Sequence, residues 1–131
     1  MNYCQCERPR VGRSPDFCKN CLVRHDPAVL STDKSIVTFL THVAKLPGVT
    51  APAIKHAQER ERAGRTEFGL SYLGRRNDLE GLEEAADGVN YSFFEWLNDR
   101  RAGTEDIDPD LLDAAHHFAL AHAALERRGR G

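Results

Sequence analysis

Long apolar runs are missing from this 131-residue chain. The longest, around Ala119–Ala121 and Ala123–Leu125, fall far short of the roughly 20 apolar residues that a membrane-crossing helix needs. The N-terminus lacks the apolar centre of a secretory signal and carries two cysteines in its first six residues, so a cytoplasmic, reducing setting is expected. Cysteine itself is absent after residue 21, which excludes a disulfide framework spanning the fold. No Gly-x-x-x-x-Gly-Lys loop, Gly-x-Ser-x-Gly elbow, glycine-rich dinucleotide turn or His-Glu-x-x-His pair occurs. The familiar phosphate-loop, nucleophile and helical zinc-protease signatures are therefore excluded. Lysine is scarce, at 4 against 14 arginines, and the net charge of −2 gives no global pull toward nucleic acid or anionic membrane.

What is present is uneven. Residues 1–30 hold all four cysteines, five basic and three acidic side chains. Pro9, Gly12, Pro15 and Pro27 punctuate them, and no helical or strand periodicity can bury a face there. Residues 78–113 are the reverse, with twelve acidic and two basic side chains. The length suits one domain with a small appended module.

Beyond residue 30 the spacing is helical. Ser31-Thr32-Asp33 is an N-cap cluster, followed by Ile36, Val37, Phe39, Leu40, Val43, Ala44 and Leu46 and stopped by Pro47-Gly48. A second helix is expected from Pro52 to Ala63, with Gly64 and Gly69 separating it from a short helix around Phe68, Tyr72 and Leu73. The clearest helix runs from Asn77 to Arg101, its apolar face being Leu79, Leu82, Ala86, Val89, Phe93, Trp96 and Leu97. Gly88 lies inside it at a cost of about 1 kcal/mol relative to alanine, which predicts a close helix neighbour or a bend. An acidic loop leads to a last helix, Pro109 to Arg128, with Leu111, Leu112, Ala115, Phe118, Ala119, Ala121, His122 and Leu125 inward. The fold class expected is all-α: a small helical bundle of three to five helices (31–131) behind an irregular zinc-binding knot (1–30).

Cys4-x-Cys6, eleven residues, then Cys18-x-x-Cys21 suits a tetrahedral zinc site, since zinc takes four thiolates at about 2.3 Å; reduced free thiols, a disulfide or an iron–sulfur cluster are the alternatives. The pattern resembles Cys4 zinc ribbons and knuckles over about 20 residues, departing from them in its Cys-x-Cys first pair. With all four corners filled the zinc is structural, not catalytic. Arg8, Arg10, Arg13, Lys19 and Arg24 can offset the excess thiolate charge, and His25 is an alternative ligand. The same basic residues, with Tyr3 and Phe17 as stacking rings, define a nucleic-acid-binding alternative.

The acidic residues of the third helix are the other candidate site. Glu83, Asp87, Asn90 and Phe94 fall on one edge of its apolar face, with Glu80 and Glu84 one step round. Carboxylates beside an apolar groove suit magnesium, while acids near a helix start are also favoured by the dipole as a plain solvated face, or as a partner-binding surface. Glu84-x-x-Asp87 followed by Asn90-Tyr91 resembles the second metal-binding helix of the all-α nucleotide pyrophosphohydrolases, the MazG-like and dimeric dUTPase group. The resemblance implies magnesium at Glu84 and Asp87, Asn90 on the nucleotide side, and hydrolysis of nucleoside triphosphates. The Glu-x-x-Glu pair that this family carries on its preceding helix has no match in the spacing of Glu59, Glu61 and Glu67.

His42 and His56 are isolated, and His117 and His122, five apart, are poorly aligned for one metal; His116 adjoins them. Tyr91, Phe93, Phe94 and Trp96 are expected in the core, and joint exposure of Phe94 and Trp96 would mark an interface. The leading functional expectation is a zinc-stabilised binding or adaptor module whose partner is another protein or a second copy. Neither a membrane partner nor a catalytic zinc is expected.

Overall fold

Thr32 opens α1 (Asp33–Ala44) with a reciprocal cap: its hydroxyl accepts from the Ser35 amide at 3.1 Å while Ser35 Oγ accepts from the Thr32 amide at 2.8 Å. Thr50 caps α2 (Ala51–Phe68) one way only, its hydroxyl accepting from the Ala53 amide at 3.3 Å, and Pro52 sits in its first turn. α3 (Asn77–Arg101) and α4 (Pro109–Arg130) follow. Asp108 starts α4, its carboxylate accepting from the Asp110 amide at 2.8 Å. The computed structural model describes residues 3–6, 18, 21–69, 72 and 75–130. Among them the chain is all-helical, without strands, and no helix is long and apolar enough to cross a membrane.

The expected helix boundaries are met at α3 and nearly so at α1 and α4. α2 differs, continuing through Gly64 to Phe68. Glycine weakens a helix interior by only about 1 kcal/mol, and here the following turn is held from outside. Arg65 bonds Glu61 one turn earlier at 3.1 Å and Asp33 of α1 at 2.6 Å. Gly69, at φ 59°, then ends the helix. Tyr72 lies in a turn rather than a helix, and Leu73 lies outside the described residues.

Contacts divide the chain into two units, Met1–Arg75 and Arg76–Gly131. In the first, α1 packs on α2. A polar network joins them: Arg62 and Arg65 flank Asp33, Glu61 accepts from Ser31 Oγ at 2.9 Å, and the Tyr72 hydroxyl accepts from the Ser31 amide at 2.7 Å. The two arginines hold the Asp33 carboxyl below its usual range, chiefly through the Arg65 hydrogen bond. Leu40 is the one large aliphatic side chain buried among the described residues.

In the second unit α3 and α4 form an antiparallel hairpin whose seam is built on small residues. A Cβ at Gly81 would stand 2.6 Å from Leu125 Cδ1, and one at Gly88 would overlap the Phe118 ring. Gly81 and Gly88 are one heptad apart on α3, as Phe118 and Leu125 are on α4, so each large side chain sits on a glycine. The close neighbour anticipated at Gly88 is the Phe118 ring. Ala85 and Gly88 are the buried residues of α3.

The seam does not coincide with the apolar stripe expected to be the inner face. At 100° per residue, Leu79, Leu82, Ala86, Phe93 and Leu97 lie to one side of the line Gly81–Ala85–Gly88–Ser92, and Leu79, Phe93 and Leu97 are substantially exposed. On α4, Leu112, Phe118, Ala119 and Ala121 are exposed where burial was expected, while Leu111, Ala115, His122 and Leu125 are half-buried. α3 buries one narrow line and α4 only half-buries its own; the rest of the stripe stays on the surface.

Candidate metal centre

The turn that brings the second cysteine pair together is short and closed. The Leu22 amide donates to Cys18 O and the Cys18 amide to Val23 O, both at 2.9 Å. Leu22 takes a left-handed conformation, φ 61°, the only non-glycine among the described residues to do so, at a cost of about 1–2 kcal/mol. The first pair is tied alongside by the Cys4 amide donating to Arg24 O at 2.9 Å.

These bonds gather Cys4, Cys6, Cys18 and Cys21 so that all four Sγ atoms lie within 4.8 Å of one another. All four are free thiols. A tetrahedral ion with ligands at about 2.3 Å has its sulfurs roughly 3.8 Å apart, so the cluster fits a metal ion. Cys18 is fully buried, Cys4 and Cys6 are half-buried, and Cys21 is exposed. The crowded sulfurs hinder ionisation of the first pair. Hydrogen bonding to Cys4 and then to Cys21 pushes Cys6 up to about 12, while burial first of all raises Cys4. A cation at the centre would reverse that balance by stabilising the thiolates.

His25 does not belong to the cluster: among the described residues only the four cysteines come within mutual ligand distance there. It is nevertheless 2% exposed, and its Nε2 has no hydrogen-bond partner among the described residues. Arg24 is exposed. Arg8, Arg10, Arg13, Lys19 and Phe17 lie outside the described residues.

Glu80, Glu83, Glu84, Asp87 and Asn90 are all exposed, and among the described residues their carboxylates form no cluster of metal-ion dimensions. Phe94 is exposed and Trp96 half-buried, so they do not present a shared surface. Trp96 instead donates from Nε1 to Glu105 O at 3.1 Å, with the Arg100 guanidinium 5.0 Å above its ring. On α2, Glu61 is engaged by Ser31 and Arg65, and Glu59 pairs loosely with Lys55 at 3.9 Å.

One grouping escaped the sequence reading. Asp113, His116 and His117 of α4 place their donor atoms within 4.8 Å of one another, all exposed. The i, i+4 relation of Asp113 to His117 is the available signal; attention to His117 and His122 passes over it. His117 Nδ1 already lies 2.8 Å from Asp113 O, and His122 Nδ1 lies 2.9 Å from Glu126 Oε1.

A groove of ≈240 Å³ opens where α3 meets the start of α4, lined by Val89, Phe93, Trp96, Ile107, Leu111 and Leu112 among others. It lies on the side of the hairpin that carries the exposed stripe. No protein-family model, curated protein or solved structure matches this chain.

Proposed function

We propose that this protein is a zinc-stabilised adaptor: zinc on Cys4, Cys6, Cys18 and Cys21 folds the N-terminal segment, and the helices offer an apolar surface to a protein partner. Zinc is favoured over other ions because four thiolates at tetrahedral spacing suit a borderline-soft ion with no geometric demand of its own. Such a site has no open position for substrate, so its contribution is folding energy.

The observation that carries the adaptor reading is the apolar stripe of α3 left beside its seam, with Leu79, Phe93 and Leu97 each 40% exposed or more. Surface of that kind rimmed by charge marks an interaction site. Zinc-loaded protein is expected to leave nucleoside triphosphates intact in the presence of magnesium. Release of pyrophosphate that Asp87→Ala abolishes would overturn the adaptor reading in favour of a pyrophosphohydrolase. Nucleic-acid binding through the N-terminal arginines would appear instead as an affinity falling steeply with salt.

A further inference from the structure

Two histidines, His116 and His117, adjoin each other on α4, and Asp113 stands one turn before both. Residues three and four apart are neighbours on a helix surface, so this spacing sets one carboxylate beside two imidazoles. At 100° per residue the three fall within an arc of about 100°. That arc lies on the side of α4 away from Phe118 and Leu125, which close on the glycines of α3. All three side chains are exposed, so an ion can reach them from solvent.

Their donor atoms converge. One ligand atom from each residue lies within 4.8 Å of the other two, and Asp113 Oδ1 is 3.4 Å from His117 Nδ1. Ligands about 2.1 Å from a tetrahedral zinc-type ion stand about 3.4 Å apart, so this pair already has the spacing of two ligands on one ion. The His116 and His117 rings are tilted by 60° with their centroids 5.6 Å apart. His117 Nδ1 also lies 2.8 Å from Asp113 O, a carbonyl that the helix engages with its own amide ladder. An ion that takes the ring therefore orphans no backbone group.

Donor type selects the ion. Two neutral imidazoles and one carboxylate suit nickel, copper and zinc, whereas magnesium and calcium ask for oxygen ligands. The charge along α4 is compatible with a cation: Asp110 lies one turn before Asp113 on the same face, and no Lys or Arg occurs in the helix before Arg127. Three protein ligands leave part of the coordination shell to water, unlike four thiolates, so an ion held here exchanges readily. We propose that Asp113, His116 and His117 form an exchangeable site for a divalent ion of the nickel–copper–zinc group, additional to the cysteine centre and independent of what the helices bind.

The test uses the full chain with zinc already loaded on the cysteines, titrated with nickel ion alone in a calorimeter, with metal analysis following both elements. The expected result is one bound nickel per chain while the zinc is retained, with paramagnetic broadening of the His116 and His117 ring signals ahead of that of His122. His116→Ala and His117→Ala should each raise the nickel dissociation constant by roughly tenfold or more. Asp113→Asn, which keeps an oxygen donor but removes the charge, should raise it less. Helix content should be unchanged in all three, because the side chains are in solvent. His122→Ala, whose ring faces Glu126, should leave nickel binding intact, and excess magnesium should not displace the ion. No nickel bound beyond the zinc overturns the inference. Binding at full strength in the His116→Ala, His117→Ala double variant overturns it as well, as an adventitious ion only. Displacement by magnesium overturns it too, since carboxylates alone would then hold the ion.

Discussion

The described residues around the cysteines and the α3–α4 hairpin are both poor in buried aliphatic side chains, yet they solve the shortage differently. Among the described residues around the cysteines the buried groups are Cys18 and His25, which are accompanied by backbone hydrogen bonds and four converging thiols. In the hairpin the buried residues are Ala85 and Gly88, and order comes from helices of 25 and 22 residues closing on glycine seats. A segment with no periodic apolar pattern needs an ion to repay its loss of conformational freedom. A segment with more apolar pattern than seam needs another surface. The first requirement is chemical and local; the second is met by area.

The sharpest way to break this contrast is to remove a thiol. Cys18→Ser should abolish stoichiometric zinc, measured by metal analysis, and forfeit binding energy on the order of 10 kcal/mol. Amide exchange across residues 21–30 should lose protection while α3 and α4 keep theirs. Equal loss in both regions would erase the distinction.

The glycine seats give the next effect. Gly88→Ala gains about 1 kcal/mol of helix propensity but drives a methyl into the Phe118 ring, so overpacking costing about 1–3 kcal/mol should prevail and lower the hairpin's melting temperature. Gly81→Ala meets only the far end of Leu125, a flexible side chain, and should be close to neutral. Equal effects would mean that the seam is looser than its geometry implies.

Leu22→Gly sharpens the comparison from the other side. Glycine adopts φ near 60° freely, so the substitution should stabilise the zinc-loaded turn by about 1 kcal/mol and slow zinc loss to a competing chelator. It should not change the hairpin.

The smallest effect is electrostatic. Arg76, bonded to Asp78 at 3.0 and 2.8 Å, holds that carboxyl down to about 2. A depressed carboxylate contributes stability above its unfolded value of 3.8 and loses it as pH falls toward 2. Arg76→Ala should return the Asp78 titration, followed by carboxyl NMR, toward 3.8, with little change in hairpin stability at neutral pH because the Arg76 side chain is largely solvated.

Much of the scaffold could be read from the residues in order. Asn77 to Arg101 was legible as one helix because its apolar spacing is long and its ends carry acids and then arginines. The cysteine pairs were legible because ligand spacing is local. The seam was not: the residues that pack closest are glycine and alanine, which carry no hydrophobic signal, and the pattern pointed to Leu79, Phe93 and Leu97 instead. Nor could the fate of Gly64 be read, since Arg65 is held by Asp33, 32 residues away. Glu80, Glu83, Glu84 and Asp87 share a helix, and their spacing alone left open whether three of their carboxylates converge on one ion, which they do not.

Trp96 is the only tryptophan in the chain, and it sits at the mouth of the hairpin's groove between Arg100 and the Glu105 carbonyl. Its emission is thus a built-in optical probe for the turn end of α3 and α4. Whatever seats itself against Phe93 and Leu112 will change the polarity that this indole senses, so occupancy of the groove can be followed on the unlabelled protein in real time.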